Sequence, residues 1–180
     1  VYRQLLTIMG QYYKGCFKKQ NEENWKGLDP HNFNEGAKLT EHCYFDCNML
    51  NALMGVIFHN PMQVVWAGDY ADNEPNKEDN LYKLCEVVSA EIPTSIENFK
   101  YLVNHDKKQF IDFTKLQENK YGFIVNPLPL LTAEGNGEGN GDYYGTEKDK
   151  IGIWARDIIS VESEKPTDFE EICIKFDNID

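Results

Sequence analysis

The sequence predicts an α+β protein, a mainly antiparallel sheet with two helices packed on it. Three observations carry this. In DCNMLNALMGVIFHN (46–60), Met49, Leu50, Leu53, Met54 and Ile57 recur at helical spacing. MQVVWAG (62–68) follows as an apolar run of strand length. FKYLVNHDKKQFIDF (99–113) sets two alternating runs around Asn104–Lys108, the pattern of a hairpin.

The remaining elements follow in chain order. QYYKGCFKK (11–19) reads as a strand and then a polar loop, NEENWKGLDP. HNFNEGAKLTEHCYF (31–45) has no dominant period. The helix of 46–60 takes Asp46 as its N-cap and stops at Pro61. DYADNEPNKEDN (69–80) is an acidic loop. Leu81, Leu84, Cys85 and Val88 predict a short helix within 78–88. YGFIV (121–125) reads as a strand, and Pro127 and Pro129 extend the chain after it. IGIWARDIISVES (151–163) reads as one strand, or two with a bend. The tail DFEEICIKFDNID (168–180) has a helical start or, with Ile172, Ile174 and Phe176 alternating, a strand. VVWAGDY (64–70) and GIWARDI (152–158) echo each other. Each predicts a strand ending in a buried Trp, Trp66 or Trp154, with Asp69 or Asp157 turning the chain.

The composition is 41% hydrophobic and 13% aromatic, enough for one folded domain over residues 1–180. MGQYYK, opening at Met9, is a second candidate start. No apolar run approaches the roughly 18 residues that span a bilayer, so the chain reads as soluble and cytoplasmic, without a membrane partner. Five cysteines (16, 43, 47, 85, 173) in irregular spacing point to a reducing compartment and no disulfide framework. The formal net charge is −12. Residues 1–60 are balanced, six Lys/Arg against six Asp/Glu, whereas residues 61–180 hold twelve against twenty-four. That excess disfavours direct nucleic-acid binding, which needs positive charge at phosphates. It suits a basic protein surface as partner.

The sequence AEGNGEGNGDYYG (133–145) invites a phosphate or cation reading. The Walker pattern needs Lys and a hydroxyl after its last Gly, but Thr146 and Glu147 follow Gly145. The dinucleotide pattern fails in every register, and the EF-hand spacing is absent. Glu134, Glu138 and Asp142 would repel phosphate. A loose cation site from Glu138, Asn140 and Asp142 is the remaining ligand reading. The expectation is a mobile loop with no cofactor, held by Tyr143 and Tyr144 and open to a partner. His42, Cys43 and Cys47 form half a zinc pattern without a second half, so no metal is expected. No serine-nucleophile motif appears, and no spacing pairs a His with a Cys. Asp69 and Asp157 are candidates for an acid/base pair, read here as strand-end turns.

MGQYYK, WAGDYAD, NPLPLLTAEGNGEGNGDYYG and WARDIIS together resemble a family of small bacterial and phage proteins over most of residues 9–160. In size and acidity the chain is similar to phage-encoded type II anti-CRISPR proteins, inhibitors of Cas9. Such inhibitors share no motif, so no residue roles carry over. The resemblance implies a Cas9–guide RNA complex as partner, whose basic channel an acidic domain would occupy. The residues expected at that contact are Asp69, Asp72, Glu74, Glu78, Asp79, Glu138, Asp142, Tyr143 and Tyr144. The alternative is a small hydrolase or transferase using carboxylates near the glycine-rich loop.

Overall fold

The computed structural model of the protein describes residues 10–135, 143 and 145–176. Nine strands form one mixed, mainly antiparallel sheet. They are β1 (Tyr13–Lys18), β2 (Lys26–Leu28), β3 (Met62–Gly68), β4 (Glu86–Val87), β5 (Tyr101–Asn104), β6 (Gln109–Asp112), β7 (Ala133–Glu134), β8 (Ile158–Glu162) and β9 (Glu170–Glu171). The order is β4-β2-β1-β3-β8-β5-β6-β9, with β7 also on β3. Among the described residues three α-helices accompany it: α1 (Asn48–Val56), α2 (Leu81–Leu84) and α3 (Pro127–Leu131). No described helix is long and apolar enough to cross a membrane.

β3 organises the molecule. One edge pairs with β1 along its whole length, from Tyr13↔Gly68 to Lys18↔Gln63. The other edge is shared. β8 takes Met62 and Gln63, while Asp157 O accepts from Val64 N–H and Arg156 N–H donates to Val64 O. Thr132 O accepts from Trp66 N–H, and β7 pairs with Trp66 and Ala67. Side chains alternate across the pleat. Tyr13 and Phe17 of β1 and Val64 and Trp66 of β3 enter the main core under α1 and α3. Cys16, Val65 and Ala67 face the opposite side, where Leu81 and Cys85 cover them. Gly15 must lack a side chain, because a Cβ there would sit 2.7 Å from Leu53 Cδ1 of α1.

Several sequence expectations change. The cap of α1 is not Asp46: Cys47 holds that position, and the carboxylate of Glu35 accepts from the N–H groups of Asn48 and Met49. A distant side chain thus does a cap's work. Residues 126–131 are a helical turn, not an extended piece. Asn126 Oδ1 accepts from Leu128 N–H at 3.0 Å, and Pro127 and Pro129 lie in the first turn, where their missing N–H groups cost nothing. YGFIV contributes only a bridge between Tyr44 and Val125. Residues 151–157 form turns, so Trp154 is buried in a turn, not at a strand end. Gly152 (φ 75°) and Arg156 (φ 68°) in left-handed backbone prevent a strand there. The hairpin is found as β5–β6, and Asn80 caps α2 by accepting from Lys83 N–H.

Candidate functional site

The acidic loop, the root of the glycine-rich loop and the WARD turn converge on one cleft. Tyr70–Pro75, Glu134, Gly135 and Arg156 line it, with a volume of 490 Å³. Its centre is Arg156. Nε donates to Glu134 Oε1 at 2.6 Å, Nη1 donates to Glu74 Oε2 at 3.0 Å, and Nη2 donates to both carboxylates. The guanidinium carbon also lies 5.7 Å from the ring centre of Trp25. These bonds hold Glu74 below the usual carboxylate range and raise Arg156. The clamp fastens the acidic loop to β7 and the WARD turn. It also explains how a non-glycine residue is kept in left-handed backbone.

Glu74 is therefore held ionised at neutral pH and is not a general acid, which needs a raised pKa. Arg156→Met is expected to destabilise the protein by about 1–2 kcal/mol, a figure reduced for the partial solvent exposure of the cluster. Urea denaturation at neutral pH measures it. An unchanged midpoint would mean that the loop does not depend on the clamp.

The sequence-predicted residues separate into distinct roles. Asp69 Oδ1 accepts from Tyr12 N–H at 3.0 Å, and Asp69 O accepts from Asn80 Nδ2 at 2.9 Å, so Asp69 is a turn-former. Asp157 sits at the opposite end of β3, bonded to Asn104 and Lys107, so the two aspartates do not face each other. Glu74 belongs to the clamp. Asp79 pairs with Lys83 at 2.9 Å. Asp72 and Glu78 are exposed, with no cationic partner among the described residues. Tyr143, expected at a partner contact, is instead 2% exposed and packs edge-on against Phe176 at 5.4 Å. Glu138, Asp142 and Tyr144 lie outside the described residues, as do Asn140 and most of the glycine-rich loop. His42 is structural: its Nδ1–H donates to Gly36 O at 2.9 Å, and its Nε2 accepts from Trp66 Nε1–H at 2.8 Å. Burial pushes the thiols of Cys43 and Cys47 up, Cys47 to about 11. Among the described residues, no cluster of three or more His, Cys, Asp or Glu is placed to hold a metal.

A second cleft of 440 Å³ adjoins the first and shares Glu74 and Pro75 with it. Glu23, Trp25, Leu81, Leu84 and Glu86 line its far side. Tyr70 of the first cleft and Leu84 of the second, 40% and 46% exposed, place apolar surface beside Asp72 and Glu86.

Sequence reading missed one polar chain. His59 Nδ1 lies 2.5 Å from Glu162 Oε2, and Ser163 Oγ lies 3.3 Å from His59 Nε2. On the other side of the carboxylate, Ser160 Oγ donates to Glu162 Oε1 at 2.6 Å and meets His105 Nε2 at 2.8 Å. The hydroxyl–imidazole–carboxylate order is that of a nucleophilic triad. His59 sits in left-handed backbone (φ 50°), and none of the three residues lines either cleft. No local spacing signals it, because His59 follows α1 and Glu162 ends β8. Comparison of the chain with known protein families, characterised proteins and solved structures found no match.

Proposed function

We propose that this is an acidic binding protein that occupies the basic, phosphate-binding surface of a nucleic-acid enzyme. One observation carries the reading. The two joined clefts around Pro75 put Asp72, Glu23 and Glu86 beside exposed Tyr70 and Leu84, and exposed Glu78 lies on the same acidic loop. Exposed aromatic and aliphatic side chains set among carboxylates are residue types that a specific interface uses. The sign of these carboxylates selects a cationic partner and speeds encounter with it. The Arg156 clamp sets the shape of this face, leaving the outer carboxylates for contact.

The Cas9–guide RNA complex is the direct test, as its channel and its PAM-reading arginines have the required charge. The variant should change Asp72, Glu78 and Glu86 to Lys and spare Asp69 and Glu74, whose bonds hold the loop. Wild type is expected to inhibit DNA binding and cleavage at low salt, and less as salt screens the contact. The triple variant should inhibit at least about tenfold less, mainly through slower association. If wild-type protein leaves both reactions unchanged, the assignment fails. If charge reversal and salt have no effect on inhibition, the contact lies elsewhere.

The Ser163–His59–Glu162 order favours a second reading, a hydrolase acting through a serine nucleophile. A fluorophosphonate probe is its test. Labelling of Ser163 that disappears in His59→Ala would establish it, and an unlabelled Ser163 would end it.

A further inference from the structure

We infer that Cys16 and Cys85 form a peroxide-reactive dithiol that closes to a disulfide. They are far apart in sequence, on β1 and immediately after α2. The fold brings them together over Gly27, the residue opposite Cys16 in the β1–β2 register. A Cβ on Gly27 would lie 2.7 Å from Cys85 Sγ and 3.3 Å from Cys16 Sγ. The missing side chain is thus the space that both sulfurs border.

The two positions differ in the way a reactive pair requires. Cys16 is fully buried between β1 and the layer above it, whereas Cys85 is 7% exposed at the molecular edge. The two neighbouring thiols act on each other, Cys16 holding Cys85 below its ordinary value and Cys85 holding Cys16 well above. Lys14 adds to this. Its Nζ donates to Tyr82 O at 3.0 Å, and the Cys85 S–H donates to that same carbonyl oxygen at 3.7 Å, which sets the ammonium beside the thiol. A nearby ammonium and the neighbouring thiol both favour a thiolate at Cys85. At Cys43 and Cys47 burial instead raises the thiols and keeps them protonated.

Cys85 is only 7% exposed, which suits a small oxidant, so the co-reactant is hydrogen peroxide. The Cys85 thiolate attacks one peroxide oxygen, the O–O bond breaks, and the departing hydroxide takes a proton to become water. Cys85 is then a sulfenic acid. Cys16 gives its proton to the sulfenic oxygen as its sulfur attacks Cys85 Sγ, and a second water leaves. Two thiols and one peroxide become one disulfide and two waters. β4 is a two-residue edge strand, so the shift that brings the sulfurs to bonding distance involves little paired backbone. Closure would tie α2 to β1 and fasten one end of the acidic loop, which runs from β3 to α2.

The experiment treats folded protein with hydrogen peroxide, blocks remaining thiols with iodoacetamide, and maps non-reduced peptides by mass spectrometry. The expected product joins the Cys16 and Cys85 peptides, is lighter by two hydrogens, and is lost on reduction. In Cys16→Ser, Cys85 should stop at the sulfenic acid and be trapped by dimedone. In Cys85→Ser, Cys16 should stay a thiol. Cys173, which is exposed, is the internal competitor. Alkylation of both Cys16 and Cys85 in treated wild-type protein, with oxidation confined to Cys173, overturns the inference. So does a disulfide that joins either of them to Cys173.

Discussion

Replacing Trp66 with Ala is expected to lower the unfolding free energy by about 3–5 kcal/mol, the cost of truncating a large core aromatic. Trp66 is fully buried at the centre of β3, packed beneath Leu53 of α1 against Gly15 of β1. Its loss opens a cavity that close-packed neighbours fill only in part. It also removes the donor to His42 Nε2, leaving a buried acceptor unpaired. Trp66→Phe separates the two effects, because it keeps most of the volume and loses the bond. Urea denaturation followed by circular dichroism reads both variants. A Trp66→Ala midpoint close to wild type would mean that the residue is not the keystone of the core.

Lowering the pH is expected to cost a further amount through His42 alone. Burial lowers its pKa to about 4, against an ordinary value near 6.5. The folded state therefore keeps the ring neutral where the unfolded chain already binds a proton. Stability from this group is full above about pH 6.5, falls as pH drops from there to about 4, and then levels off. The size is about 3 kcal/mol, from roughly 1.4 kcal/mol per pKa unit. The physical reason is geometric. A protonated ring would carry a second N–H facing the Trp66 Nε1–H, donor against donor. Unfolding free energies at pH 7, 6, 5 and 4.5 should trace this fall. His42→Gln should be less stable at pH 7 and show a shallower pH slope. Equal slopes for both proteins would place the acid sensitivity in other groups.

The sheet, the hairpin and the α1 stripe were legible because each is a local pattern. Met49 to Ile57 face one core at period 3.6, and Tyr101–Asn104 with Gln109–Asp112 need only a four-residue turn. The errors arose where a distant partner overrides local preference. Asp46 has the chemistry of a cap, yet Glu35 reaches the helix first. Pro127 and Pro129 suggest extension, yet both fit the opening turn of a helix once Asn126 supplies the cap. The Trp-Ala-x-Asp echo marked two chain reversals and two buried indoles, but only the first grows from a strand. The same limit holds for the site. The acidic loop and the root of the glycine-rich loop were singled out, and they do meet. That Arg156 would join them, and that Asp69 would be spent on a turn, depends on tertiary placement that no spacing encodes. The Cys16–Cys85 and His59–Glu162 pairs are invisible for that reason.

The divided edge of β3 sets the order of events during synthesis. One side of this strand can pair with β1 as soon as it is made. The other must wait for residues 132–134 and 156–159, which arrive much later. At about 5–20 residues per second, the delay on the ribosome is on the order of ten seconds. Through that interval Val64, Val65 and Trp66 stand on an open hydrophobic edge, a template for pairing with other chains. Folding of the nascent protein is thus a race between translation of residues 69–159 and capture of that edge. Slow translation of residues 69–159, or a low supply of chaperones, should lower the yield of folded protein without altering its final stability.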